Sequence, residues 1–212
     1  MRMRKKKWAI PYLQAQSAIV ISDPTILKGK WQQTLKTSTL NLEIGTGKGD
    51  YITNMSLKHP ETGWIGLEKD ANVACIAVKK IVEKNLNNIL YINNDANNLL
   101  DYFAKNELDT IYLNFSDPWP KKGHTKRRLS SANFLNKYYE ILKSDGKIIM
   151  KTDNYKLFNY SVVEILKNNF KLEELNVNFR SDEQDDPITE YEQKFLDLGQ
   201  PIYRAIFKKT NL

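Results

Sequence analysis

Cysteine and histidine are nearly missing from this chain: one cysteine, Cys75, and two histidines, His59 and His124, occur among 212 residues. A lone cysteine excludes an internal disulfide, and these three side chains cannot make up a zinc ligand set. Long apolar runs are missing too. The longest are strand-sized, such as Ala18–Ile21, far short of the roughly 20 residues that cross a bilayer. Neither a metal nor a membrane is therefore expected, and a reducing cytoplasm is the natural location. Acidic residues are absent before Asp23, as in a transit peptide, but Pro11, Gln14 and Gln16 interrupt any amphipathic or signal-type core. A cleaved targeting segment is accordingly not expected. Internal repeats and low-complexity linkers are absent as well, so a single domain is expected over 1–212, with a basic extension over 1–38 and a core over 39–212.

What the chain does have is positive charge, a net +7 that is unevenly placed. Arg2, Arg4, Lys5, Lys6 and Lys7 crowd the N-terminus; Lys121, Lys122, Lys126, Arg127 and Arg128 crowd one internal segment; Asp182 to Glu192 is acidic. Clustered cations are the electrostatic footprint of a nucleic-acid partner. For the N-terminal cluster, a solvated basic arm is the simpler reading.

After about forty residues of extension, strand-like runs alternate with helical patterns. The strands read as Leu40–Ile44, Trp64–Glu68, Ile89–Asn93, Thr110–Phe115, Lys147–Lys151, Phe170–Val177 and Ile202–Phe207. Helical faces are formed by Val73, Ala77 and Ile81; by Phe134, Tyr138 and Leu142; and by Phe158, Val162 and Ile165. Such alternation gives an α/β fold, a mostly parallel seven-stranded sheet with helices on both faces. Only a loop and one short helix separate the last two strands, so the closing strand should run antiparallel. Ligands of such folds bind beyond the carboxyl ends of the strands.

The first strand runs into Glu43-Ile44-Gly45-Thr46-Gly47-Lys48-Gly49. Glycines let the chain turn tightly and let a ligand approach the backbone. A dinucleotide fingerprint would need a further glycine where Asp50 stands. The pattern E-x-G-x-G-x-G instead resembles the first motif of class I methyltransferases. Glu68 ends the second strand, where an acid grips ribose hydroxyls. Asp95, followed by Ala96, comes after the third strand and suits an adenine amino group. Each acid alone could equally be solvated or cap the next helix. Together, after three successive strands, they favour an adenosine moiety.

The fourth strand delivers Ser116-Asp117-Pro118-Trp119-Pro120-Lys121-Lys122-Gly123-His124-Thr125-Lys126-Arg127-Arg128-Leu129, a proline-stiffened loop leading into the basic cluster. This run, with Glu43 to Gly47, Lys151-Thr152-Asp153-Asn154 and Thr189-Glu190-Tyr191-Glu192-Gln193-Lys194-Phe195, resembles the tRNA (guanine-N7-)-methyltransferase family from about residue 40 to the end. The basic-loop motif is highly specific, the glycine loop is not, and one departure is Gly123, where arginine is common.

The resemblance implies a Rossmann-like class I fold and an enzyme that methylates N7 of a guanosine in the variable loop of tRNA. The donor would be S-adenosylmethionine, leaving S-adenosylhomocysteine. It implies that Glu43, Gly45, Gly47, Glu68, Asp95, Ala96 and Asp117 contact the cofactor, with Asp117 also the catalytic candidate. Lys121, Asp153, Thr189, Glu190, Tyr191 and Glu192 would hold the guanosine. Lys122, Gly123, His124, Thr125, Lys126, Arg127 and Arg128 would engage RNA. Read without the resemblance, Thr189-x-x-Glu192 is a helix capping box, its helix stopped by Gly199 and Pro201, and Asp153 is a strand-end turn residue.

N7 of guanine carries an in-plane lone pair, so methylation needs no general base and the scarcity of His and Cys is no obstacle. Three rivals stand beside this reading. Asp117-Pro118-Trp119 faintly resembles the D/N-P-P-Y/W loop of exocyclic-amine methyltransferases but lacks the second proline. A dehydrogenase is disfavoured by the glycine spacing. A non-catalytic RNA binder has no use for the acids at the strand ends. Whether the chain is a monomer or a homodimer is not legible in the sequence.

Overall fold

The computed structural model describes residues 5–210. The chain divides into two compact units, one ending at Ala104 and the other beginning at Lys105.

In the first unit, β1 (Thr39–Ile44), β2 (Thr62–Leu67) and β3 (Ile89–Ile92) alternate with α3 (Asp50–Lys58) and α4 (Ala71–Glu83). All three strands are parallel, with Leu42 opposite Ile65 and Ile65 opposite Leu90. Every residue of β2 and β3 is buried, which is why they read as continuous apolar runs rather than alternating ones. On α4 the buried face is Ala74, Cys75, Ala77, Val78 and Ile81, at helical spacing.

The N-terminal segment is more than a solvated arm. Helix α1 (Ala9–Ala15) packs on α4 with Ala9 and Leu13 buried. Pro11 is tolerated inside α1 because the first-turn N–H groups have no intrahelical acceptor to lose. Val20 then forms a parallel bridge with Tyr91, extending the sheet past β3. In α2 (Trp31–Leu35), Trp31 is fully buried and its indole N–H donates to the Tyr102 carbonyl at 2.9 Å. The expected arm therefore narrows to Lys5 and Lys7, both exposed; Arg2 and Arg4 lie outside the described residues. The short α5 (Leu99–Tyr102) closes the first unit.

The second unit contains β4 (Leu108–Asn114), α6 (Ala132–Ile141), β5 (Leu142–Thr152), α7 (Tyr155–Leu166), β6 (Phe170–Asn176), α8 (Glu190–Leu196) and β7 (Tyr203–Lys209). Strands β4 and β5 are parallel, whereas β7 lies antiparallel between β5 and β6. The strand order is β3-β2-β1 in the first unit and β4-β5-β7-β6 in the second. One sequence expectation shifts: Leu142 opens β5 instead of ending the helical face of Phe134 and Tyr138. The register slips between Leu108 and Thr110, so the strand residues before Lys147 bulge away from regular pairing.

Candidate active site

The glycine loop leaves β1 and turns back over β2. Gly45 donates from its amide to the Leu67 carbonyl at 2.7 Å, and Gly49 donates to Thr46 at 2.9 Å. Gly45, Gly47 and Gly49 all have positive φ, between 55 and 78°, a region that side chains other than glycine enter at a cost. Their surroundings differ. A Cβ on Gly49 would stand 2.6 Å from Ala77 Cβ, so glycine there lets α3 start tight against α4. A Cβ on Gly45 or on Gly47 would meet nothing within 4 Å; that side of the loop is open for a ligand to lie on backbone.

Glu68 stands on this open side. Its carboxylate accepts from the Gly47 amide at 3.3 Å and from the Asp70 amide at 2.9 Å. Burial raises its pKa, and those amides only partly offset the rise. A half-buried carboxylate beside bare glycine backbone suits a ribose diol, whose hydroxyls would complete its hydrogen bonding. Glu43 is buried in β1, two residues before Gly45. Asp95 accepts from the Asn97 amide and side chain, both at 2.8 Å, and so caps the short 3-10 turn that Ala96 opens. The capping role and an adenosine contact are compatible there, because both of these bonds fall on the same carboxylate oxygen. Open glycine backbone, a ribose-type acid and a strand-end acid fit the adenosine end of S-adenosylmethionine.

In the second unit, β4 ends in a turn built without glycine. Phe115 (φ 49°) and Trp119 (φ 40°) both lie in the left-handed region, a strain of about 1–3 kcal/mol each that surrounding contacts must hold. The Phe115 amide donates to the Lys151 carbonyl at 2.8 Å. Asp117, between the two, is exposed. The Phe115 ring lies 5.2 Å from that of Tyr191, which in turn lies 5.0 Å from Phe195. The Tyr191 hydroxyl is pushed up by burial and then by the charges of Asp153 and Asp117. Asp117, Asp153 and Tyr191, far apart in sequence, thus share one electrostatic neighbourhood. Burial also raises the Asp153 pKa.

Behind Tyr191 lies an ion network that sequence reasoning missed. Lys151 is 1% exposed and bonds Asp186 at 2.5 Å and Glu192 at 3.2 Å; Arg180 bonds Glu192 at 2.7 Å and Asp186 at 2.8 Å. Glu192 is fully buried with both oxygens committed. It therefore anchors α8 internally through both ion pairs, the setting in which the expected guanosine contact of this residue would have to be made. Thr189 is buried too, and its hydroxyl accepts from the Glu192 amide at 3.0 Å. That is half of the capping box; the other half is lost because Glu192 turns inward to the two cations instead of back to the Thr189 amide. The one local signal for this network was a lysine closing the apolar run Ile148-Ile149-Met150; its partners lie 35 and 41 residues away.

The basic segment forms a 3-10 turn, Lys122–Arg127, with Lys121 at its start. Lys121, Lys122, Lys126 and Arg127 are exposed, and Gly123 faces open space. Thr125 is spent locally, donating to the Lys122 carbonyl at 2.5 Å. His124 meets Trp119 edge-on at 5.6 Å, and the Arg127 guanidinium lies 5.0 Å from the same ring. Arg128 departs from the expected RNA-facing row. Its Nε donates to the Pro118 carbonyl at 2.9 Å and its Nη2 to the Trp119 carbonyl at 3.2 Å, and it stacks 4.2 Å from the Tyr160 ring centre. Among the described residues, no cluster could hold a metal ion, and no helix is long and apolar enough to cross a membrane.

The strand order and the glycine-loop site define the class: this is a class I S-adenosylmethionine-dependent methyltransferase. Solved structures support the fold. A SAM-dependent methyltransferase from Aquifex aeolicus superposes with TM-score 0.60 over 94% of this chain and 98% of that one at 11% identity. The 16S rRNA methyltransferase KamB gives 0.65 over 86% and 94%, also at 11% identity. A family described as putative methyltransferase matches residues 37–205. The tRNA (guanine-N(7)-)-methyltransferase of Oceanobacillus iheyensis is 46% identical over 99% of this chain and 100% of its own length. That of Bacillus licheniformis is 45% identical over 97% of both. The chain belongs to the tRNA (guanine-N7-)-methyltransferase family.

Proposed function

We infer that this enzyme transfers the methyl group of S-adenosylmethionine to N7 of a guanosine in the variable loop of tRNA, in the cytoplasm. The observation that carries the reading is that the Phe115 turn, which leads to Asp117, meets both the Tyr191 ring at 5.2 Å and the end of β5 that leads to Asp153, at the Lys151 carbonyl 2.8 Å from the Phe115 amide, in a chain of this family. S-Adenosylmethionine supplies an electrophilic methyl on a sulfonium. Glu43, Gly45, Gly47, Glu68, Asp95 and Ala96 would hold the cofactor, with Asp117 also in reach of it.

The attacking N7 needs no base, because its lone pair lies in the ring plane. What the chain must supply is orientation, which can contribute about 7–11 kcal/mol, and a home for the positive charge that appears on the purine. Carboxylates answer both needs. Asp117 would accept from the N–H edge of guanine and stabilise the growing cation, and Asp153 would add a second negative charge. Tyr191, half exposed beside Phe115, offers a ring for stacking, while Glu190 and Lys121 stand exposed at the rim. Lys122, His124, Lys126 and Arg127 would grip phosphates, an interaction that weakens steeply with salt.

The test is incubation with labelled cofactor and unmodified tRNA, followed by mapping of the methyl group. N7-methylguanosine in the variable loop is the expected product; a methyl on an exocyclic amine, or none on any RNA, would overturn the reading.

A further inference from the structure

We propose that Arg128 is a positioning residue for the Asp117 turn, with Tyr160 as its platform, and is not one of the RNA-binding cations of the segment it ends. The inference rests on the role given to Asp117 above.

The Arg128 guanidinium makes two hydrogen bonds to consecutive carbonyls, Pro118 at 2.9 Å and Trp119 at 3.2 Å, one and two residues after Asp117. It also stacks on Tyr160, 4.2 Å from the ring centre, so one face and its fork are both used inside the protein. Its backbone is fixed as well, with the amide donating to Thr125 at 3.1 Å and the carbonyl accepting from Ser131 at 2.9 Å. The neighbouring cations differ: Lys122, Lys126 and Arg127 are exposed, and Arg128 is not.

The turn needs such a brace. It carries two residues other than glycine at positive φ, Phe115 and Trp119, and nothing in their own chemistry prefers that conformation. Binding two successive carbonyls with one rigid planar fork fixes the peptide between Pro118 and Trp119, and so the direction in which the chain leaves Asp117. Lysine cannot replace it: an ammonium on a flexible stem neither stacks on Tyr160 nor holds two acceptors in a fixed plane.

The experiment compares Arg128→Ala, Arg128→Lys, Tyr160→Leu, Arg127→Ala and Asp117→Ala with the parent enzyme. It reads kcat at saturating tRNA, tRNA affinity across a salt series, and cofactor binding. For both Arg128 variants the expected result is a kcat at least tenfold lower, with tRNA affinity and its salt slope unchanged. Added ethylguanidinium should restore part of the loss in Arg128→Ala only. Tyr160→Leu should lower kcat in the same direction, and it carries the test if Arg128→Ala fails to fold. Arg127→Ala should weaken tRNA binding and lower the salt slope by about 1, the signature of a phosphate contact that the Arg128 variants should lack. A normal kcat in Arg128→Lys, or a reduced salt slope in Arg128→Ala with kcat intact, would overturn the brace alone. A normal kcat in Asp117→Ala would overturn the role of Asp117, and the brace with it.

Discussion

Two strand-end turns, one after β1 and one after β4, are made rigid by opposite means. The turn after β1 is held by its own composition. Gly45, Gly47 and Gly49 enter positive φ without side-chain clashes, and backbone bonds to Thr46 and to Leu67 at the end of the neighbouring strand β2 fix the path. The turn after β4 has no glycine where the backbone is left-handed. Phe115 and Trp119 are kept there by distant residues, the Lys151 carbonyl, the Arg128 fork and the Tyr191 ring. A turn that must expose bare backbone to a ligand is best made from glycine. A turn that must also present a carboxylate and an aromatic ring keeps its side chains, and tertiary contacts hold its strained backbone.

That contrast can be broken or sharpened by substitution. The largest effect should come from Lys151→Ala, which leaves Asp186 and Glu192 buried with one cation fewer. Removing one partner from a buried ion network costs about 3–5 kcal/mol, to be read as a drop in the thermal unfolding midpoint. A change within experimental error would mean that this network does not stabilise the second unit. In the first unit, Gly49→Ala should cost about 2 kcal/mol or more, since it combines positive φ with a clash against Ala77. Gly47→Ala should cost less stability, about 1 kcal/mol, but weaken cofactor binding severely, because its Cβ enters the open side of the loop. Equal stability losses at the two positions would remove the distinction between a packing glycine and a ligand-facing one.

Asp153 gives a smaller, pH-dependent test. Burial raises its pKa, so its carboxylate form is disfavoured by folding. Its ionisation therefore lowers stability as pH rises from the unfolded-state pKa to the raised folded one. At neutral pH, Asp153→Asn should unfold no earlier than the parent. If the charged form serves the reaction, kcat of the parent should fall as pH drops through that raised pKa, above the ordinary aspartate range, and Asp153→Asn should lose this acid limb along with part of its rate. An unchanged limb would assign it to another group, such as Glu68, whose pKa is also raised by burial. The smallest effect should be Lys126→Ala, a few-fold loss of tRNA affinity with a salt slope lower by about 1.

The residues of the first turn are legible from chain order alone. Glycine spacing, an acid after β2 and an acid after β3 point to the cofactor site proposed above, because in a parallel sheet successive strand ends lie side by side. The antiparallel closing strand follows from the same order. The acids' local bonds are less legible: Asp95 caps a turn through one carboxylate oxygen, a role that spacing does not separate from the proposed adenosine contact. The N-terminal segment reads as a mere extension because its burial depends on α4 and β3, elements that come after it in the chain.

By itself the sequence determined the α/β class and the family, since these depend on periodicity and on residue types in fixed order. Only the tertiary structure decided which charges face solvent. Lys151, Glu192 and Arg128 look like their exposed neighbours when read along the chain. They turn inward because partners tens of residues distant, or a ring on another helix, satisfy them there, and a buried charge is stable only where such partners converge.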